Sequence, residues 1–279
     1  MNIVIVGLGV IGGSFALALQ KAGYTEVYGV DTNEQTLEKA EKMGVIQKGC
    51  TTGKEFFPKA DLIILAIYPN LIRSFVEQNQ ALFKPGCVVT DTTGIKSPFI
   101  NEITRVLPDD VDFVFGHPMA GREKKGIDFA SAEVFQGANY LITPTPRNKE
   151  ENLQKIEMLV RRLGFGRVRR ITPVFHDEMI AFTSQLPHAM AVALINSDEE
   201  GRETGSFIGD SYRDLTRIAN INETLWSELF LGNKKNLLRT IENFEKQLDL
   251  IKTAIENDDT QALTAYFKTS TKRRELLNC

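Results

Sequence analysis

The sequence predicts an α/β fold, a doubly wound parallel sheet followed by an all-α domain. Short apolar runs alternate with helix-spaced segments over the first half of the chain, the pattern of successive βαβ units. Most of these runs are apolar at consecutive positions, as strands buried between two helical layers must be. Beyond Ile171 the helical patterns continue to the end of the sequence without another convincing strand.

Taken in order, the expected strands are Asn2 to Val6, Glu26 to Asp31, Leu62 to Ile67, Val88 to Asp91, Phe113 to Phe115 and Tyr140 to Thr143. Helical spacing occupies Ser14 to Lys21, Asn33 to Met43 and Leu71 to Leu82, and Glu151 to Leu163 follows the last strand. Thr172 suits an N-cap and Pro173 a first helical position, so the expected division is 1–170 and 171–279. In the second part Leu237, Ile241, Phe244, Leu248, Ile251 and Ile255 recur at spacings of four and three, a heptad seam along one helix. The seam needs another helix, either the last one, Thr260 to Leu276, or one from a second subunit. A helical domain of this size has little core of its own, so self-association as a homodimer is expected.

The composition excludes several classes. With 33 Lys+Arg against 36 Asp+Glu the chain offers no electrostatic footprint for nucleic acid or for an anionic membrane surface. No run approaches the roughly 18 apolar residues of a membrane span, and the first apolar run lacks the preceding basic region of a signal peptide. Cys50, Cys87 and Cys279 are far apart and odd in number, which indicates neither a disulfide framework nor a metal site. A cytoplasmic enzyme or binding protein acting on small molecules is the expectation.

The glycine stretch Gly7-Leu8-Gly9-Val10-Ile11-Gly12 lies directly after the first strand and directly before a helical pattern. In that context GxGxxG is a dinucleotide-binding motif, and the first domain is of Rossmann type. Gly7 permits the tight turn, Gly9 lets backbone approach a pyrophosphate, and Gly12 lets helix pack on strand, while the helix N-terminus supplies amide donors. Asp31 closes the second strand 19 residues after Gly12, where a carboxylate accepts from the adenosine ribose hydroxyls and repels a 2′-phosphate. Neither Thr32 nor Asn33 is basic, so the expected cofactor is NAD.

Of the three histidines, His117 sits in Phe115-Gly116-His117-Pro118-Met119-Ala120-Gly121, just past an expected strand, where open α/β sheets bind substrates. A histidine there suits a general base toward a hydroxyl whose carbon gives up hydride. His188, in Ser184-Gln185-Leu186-Pro187-His188, lies on the first helix of the second domain, where a lone histidine is more often structural. His176 reads as a first-turn helix residue without a role. Arg213 and Arg217 stand four apart, so a helix would place both on one face. They form either a carboxylate clamp or a solvated charged face closed by Asp214. Trp226 reads as a core or interface aromatic.

Four features in this order resemble the prephenate dehydrogenase family of tyrosine biosynthesis. They are the glycine motif with Asp31, the GHPMAG around His117, the LPH of His188, and the DLTRIA around Arg217 with Trp226 shortly after. The resemblance implies oxidative decarboxylation of prephenate by NAD to 4-hydroxyphenylpyruvate, on a Rossmann domain joined to a helical dimerisation domain. It implies that His117 accepts the ring hydroxyl's proton, that Arg217 holds a substrate carboxylate with His188 assisting, and that Glu123 helps gate the site across the subunit boundary. Arg213 joins the expected substrate-binding set. Arogenate dehydrogenase, acting on the aminated side chain, is the rival within the family. The β-hydroxyacid dehydrogenases, which depend on a helical lysine, fit a histidine placed after a strand less well, and a dinucleotide-binding protein without turnover is the reading outside enzymes.

Two positions depart from the family pattern. Members usually read DxxSxK after the fourth strand, whereas this chain reads Asp91-Thr92-Thr93-Gly94-Ile95-Lys96, so Thr93 is the candidate substitute for the missing serine hydroxyl. Gln185 stands where many members carry the first histidine of HLPH.

Overall fold

A computed structural model describes residues 1–121 and 124–277. Its contacts divide the chain into two compact units, Met1–Asn233 and the residues from Lys234 onward. Among the described residues the first unit holds eight strands: β1 (Ile3–Val6), β2 (Val27–Val30), β3 (Lys48–Cys50), β4 (Leu62–Leu65), β5 (Val88–Asp91), β6 (Asp112–Met119), β7 (Asn139–Thr143) and β8 (Arg167–Arg170). They form one sheet in the order 3-2-1-4-5-6-7-8. The first six run parallel in the 3-2-1-4-5-6 order of doubly wound dinucleotide-binding sheets, and β7 then pairs antiparallel with β6.

Consecutive residues of the central strands bury against two different cores. Ile3, Ile5, Leu62, Ile64, Val88 and Val114 enter one cluster, and Val4, Val6, Ile63, Leu65, Val89 and Phe113 enter the other. This is why the strands read as unbroken apolar runs. The covering helices are α1 (Val10–Lys21), α2 (Glu34–Lys42), α3 (Pro69–Asn79), α4 (Ser97–Val106) and α5 (Glu150–Arg162).

Strand β6 runs further than its sequence suggests. Its first half, Asp112 to Val114, pairs with β5, and its second half, Phe115 to Met119, pairs with β7. His117 therefore lies within a strand, opposite Leu141, and not after one. Gly116 and Pro118 mask the strand in the sequence, since both residues ordinarily interrupt one. Two further strands, β3 and β8, are absent from the sequence reading because Lys-Gly-Cys and Arg-Val-Arg-Arg lack an apolar run. Both lie at sheet edges, where charge guards against further pairing.

After the sheet come α6 (Pro173–Ile180), α7 (Leu186–Asn196), α8 (Asp210–Thr216) and α9 (Glu223–Gly232). Thr172 caps α6 by accepting from the Phe175 N–H, with Pro173 in its first turn. A π turn, Ala181–Gln185, carries α6 into α7. Pro187 sits in the first turn of α7, and its missing N–H and bulky ring do not fit an unbroken α-helix, so the wider turn immediately before it takes up the mismatch. The second unit consists of α10 (Lys234–Glu256) packed on α11 (Thr260–Leu276), with Tyr266 donating to Gln247 Oε1 at 2.8 Å. The seam of α10 remains open in places: Leu248 is 53% and Ile255 60% exposed.

Candidate active site

The glycine loop opens α1 as the motif requires. Gly7 has φ +85°, and a Cβ there would lie 2.5 Å from the Ala66 carbonyl oxygen; a Cβ on Gly12 would collide with the Gly7 carbonyl oxygen. At Gly9 nothing lies within 4 Å of where a Cβ would stand, so that face of the loop is open to a close-approaching group. Gly9 is also the N-cap of α1 and brings no side-chain cap to its first-turn N–H groups, which suits a pyrophosphate. Leu8 and Val10 are buried and Ile11 packs against the core, so these three offer backbone rather than side chains. Asp31 Oδ2 accepts from Leu8 N at 2.7 Å, and its Oδ1 accepts from Asn33 N at 2.9 Å. The carboxylate is thereby fixed at the end of β2, beside the loop. These residues fit NAD.

His117 lies along the same edge of the sheet, since β1 and β6 belong to one parallel set and the loop and the histidine are both at strand carboxyl ends. Its Nδ1 is 2.9 Å from His176 Nε2. His176 Nδ1 is in turn 2.8 Å from Asp177 Oδ1. His176 and Asp177 are buried, and Asp177 also accepts from the backbone N–H groups of Lys96 at 2.9 Å and Ser97 at 2.8 Å at the start of α4. Desolvation of the His117 ring, with the Lys96 ammonium acting in the same direction, holds it well below the usual imidazole range. His176, without a role in the sequence reading, is thus in direct contact with the candidate base.

Beneath His117 lies a buried ion pair. Lys96 Nζ is 2.5 Å from Asp91 Oδ2, with both side chains 0% exposed. The ammonium also donates to the carbonyl oxygens of Gly116 at 2.7 Å and Thr93 at 3.0 Å, while Asp91 Oδ1 accepts from Gly116 N at 3.0 Å. The pair therefore clamps the residue before His117 at the point where β6 passes beyond β5. Thr93, expected as a substitute hydroxyl in the substrate site, turns inward instead: its Oγ1 contacts Asp91 Oδ2, Ile95 O and Lys96 Nζ. The reason is local, since Asp91 and the Lys96 ammonium outcompete any surface position for a buried hydroxyl. Position 94 is the one beside the base, with an added Cβ falling 3.6 Å from His117 Nε2.

A second group of expected residues lies on the helices after the sheet. The ring of His188 stacks on Trp226, centroids 3.6 Å apart and 28° between planes, and its Nδ1 donates to the Ser184 carbonyl at 2.9 Å. Arg213 pairs with Asp210 at 3.0 Å, not with Asp214. Arg217 begins a 3-10 turn, Arg217–Ala219, that packs against α7. The two arginines therefore do not share one continuous α-helix. Gln185 is buried and structural, donating to Leu229 O at 2.8 Å and accepting from Asn233 Nδ2 at 2.9 Å. Glu123 lies outside the described residues.

Asp91, Lys96, His176 and Asp177 escaped the sequence reading as site residues. The available signal was adjacency: a His-Asp pair in the first turns of the helix that leaves the sheet, and a lysine in the segment that follows the fourth strand of the main parallel run.

A family model described as prephenate dehydrogenase, nucleotide-binding domain, matches residues 15–168, and one described as prephenate dehydrogenase, dimerization domain, matches residues 172–269. The chain is 32% identical over 283 residues to a prephenate dehydrogenase of Lactococcus lactis, an alignment covering 99% of this chain and 77% of that one. It resembles the crystal structure of prephenate dehydrogenase from Aquifex aeolicus in complex with hydroxyphenyl propionate and NAD+, with a TM-score of 0.88 and 29% identity over 99% of this chain and 98% of that one. Against a Synechocystis arogenate dehydrogenase the TM-score is 0.82 and the identity 27%, over 99% of this chain and 100% of that one. With the glycine loop before α1, a histidine in β6 and matches to both domain models, the chain belongs to the prephenate dehydrogenase family.

Proposed function

We propose that the chain catalyses the NAD-dependent oxidative decarboxylation of prephenate to 4-hydroxyphenylpyruvate, a step of tyrosine biosynthesis. The observation that carries this reading is the placement of His117: within β6, at the carboxyl edge of the sheet that bears the dinucleotide loop, with its Nδ1 held by His176. His117 accepts the ring hydroxyl's proton through Nε2 as hydride leaves the same carbon. NAD, when bound, accepts that hydride. The ketone so formed makes the distant carboxylate a vinylogous β-keto acid, and carbon dioxide leaves as the ring becomes aromatic. Arg217 holds a substrate carboxylate, His188 assists it from its place against Trp226, and Arg213 is an outer member of the set. Glu123 gates the site. Thr93 supports the floor of the site rather than the substrate.

We place the functional division at 170/171, with the nucleotide in 1–170 and substrate binding and dimerisation in 171–279. A homodimer is supported by the dimerization-domain match and by the open seam at Leu248 and Ile255. Among the described residues no helix is long and apolar enough to cross a membrane, and we propose that the enzyme works in the cytoplasm.

The test is NADH formation by the purified chain with NAD and either prephenate or arogenate. Turnover with prephenate is the expected result. Turnover with arogenate alone transfers the reading to the aminated substrate, and NAD binding without turnover on either makes the chain a dinucleotide-binding protein.

A further inference from the structure

We propose that Asp177 and His176 form a positioning relay that sets the tautomer of His117 and leaves its Nε2 as the proton acceptor. The inference deepens the reading of His117 as base and rests on it. Three donors converge on Asp177: the backbone N–H groups of Lys96 at 2.9 Å and Ser97 at 2.8 Å, and His176 Nδ1 at 2.8 Å. Burial pushes the Asp177 carboxyl up, but hydrogen bonds from His176 and Ser97 bring it below the usual carboxylate range, and the start of α4 favours an anion. A carboxylate only accepts, so the proton between Asp177 and His176 is on His176 Nδ1.

The state of His176 then decides the state of His117. Burial lowers the His176 imidazole below its usual range despite the pull of Asp177, and the Lys96 ammonium acts in the same direction as burial. A neutral His176 with its proton on Nδ1 has only a lone pair at Nε2. The 2.9 Å separation from His117 Nδ1 is a hydrogen bond only if His117 Nδ1 donates. Neutral His117 consequently carries its lone pair on Nε2, the atom that faces Gly94.

Among the described residues the charged and titratable groups around this pair are His176 and Asp177 from α6, Lys96 from the start of α4 and Asp91 from β5, with Lys96 and Asp91 bound to each other. When Nε2 takes up a proton, the Nδ1–H···Nε2 bond to His176 becomes charge-assisted, with Asp177 behind it. The arrangement does for a His–His pair what an aspartate does for the histidine of a serine protease triad.

The experiment is 15N-detected imidazole NMR on the free protein, combined with kinetics of His176→Phe and His176→Gln. The chain has three histidines, so the spectra of His176→Phe and His188→Asn assign every ring. In the unsubstituted protein His117 is expected with its proton on Nδ1 and His176 likewise. His176→Phe removes the acceptor; His117 should shift toward the Nε2–H form and kcat should fall about 100-fold while the Kd for NAD is unchanged. His176→Gln restores a carbonyl acceptor and should recover the Nδ1–H form and most of kcat. A proton on His117 Nε2 in the unsubstituted protein overturns the proposal, whether or not the variants fold. So does full kcat in His176→Phe, or a His176→Gln no better than Phe. If the unsubstituted chain turns over neither substrate, the proposed activity fails, and the spectrum still judges the relay.

Discussion

A Cβ added to Gly94 stands 3.6 Å from His117 Nε2 and 3.3 Å from Leu229 Cδ2. The backbone at Gly94 is not in the left-handed region, so a side chain is conformationally allowed there, and the Leu229 contact is the flexible end of its side chain. In Gly94→Ser the hydroxyl comes within hydrogen-bonding reach of the Nε2 lone pair. A donor to the neutral ring favours the neutral form and lowers the pKa further. The acid limb of kcat/KM should therefore move to lower pH than in the unsubstituted enzyme. An unmoved limb would show that the hydroxyl points elsewhere and that His117 meets substrate without help from this position.

The pH dependence of the unsubstituted enzyme follows from the same ring. Desolvation, with the nearby Lys96 ammonium acting in the same direction, holds His117 well below the ordinary imidazole range, which centres at about 6.5. The base works only when neutral, and a lowered pKa keeps it neutral in more acid solution. Hence kcat/KM, which reports groups of the free enzyme, should remain on its plateau as pH falls through about 6.5 and decline only below that. A limb centred at or above the ordinary value would mean that water reaches the ring freely or that another group is being titrated.

Lys96 and Asp91 offer a test of the site's floor. Both side chains are fully buried, and Lys96 Nζ also binds the carbonyl oxygens of Gly116 and Thr93. Lys96→Met keeps much of the volume but leaves the Asp91 carboxylate and the Gly116 carbonyl without their cation. Removing one partner of a buried pair costs about 3–5 kcal/mol, which chemical denaturation should resolve. The double variant Lys96→Met, Asp91→Leu should recover part of that loss, since no charge is then left alone. A single variant within about 0.5 kcal/mol of the parent would show that water replaces the lysine.

These tests also separate what the sequence revealed from what it hid. The glycine loop and Asp31 were readable because their chemistry is local: a turn, a helix start and a carboxylate one strand later. Thr172 and Pro173 were readable for the same reason. In the sequence His117 reads as lying just past a strand, because Gly116 and Pro118 obscure the strand whose second half pairs with β7. The contact between His117 and His176 spans 59 residues of sequence and depends on α6 packing against the sheet, which no spacing rule encodes. Thr93 is next to Gly94 in the chain, yet its hydroxyl contacts the buried Asp91 and Lys96 pair, a burial that no local spacing encodes. Likewise Gln185, conspicuous as a missing histidine, spends both ends of its amide on α9 and Asn233.

Cofactor choice tests Asp31 in two ways, because its carboxylate does two things. Its Oδ2 holds Leu8 N at 2.7 Å and so shapes the glycine loop, while its charge opposes a 2′-phosphate. Asp31→Ser shortens the side chain and removes the charge, so NAD affinity should fall as the loop loses its anchor, and the preference for NAD over NADP should narrow. Asp31→Asn keeps an oxygen able to accept from Leu8 N, and removes the charge together with the acceptor for the Asn33 N–H. In that variant the ratio of kcat/KM for NADP to that for NAD should rise roughly tenfold, or about 1.4 kcal/mol, with KM for NAD changing less than in Asp31→Ser. If Asn leaves the ratio where it was, discrimination between the dinucleotides resides in another group and Asp31 serves chiefly to hold the loop.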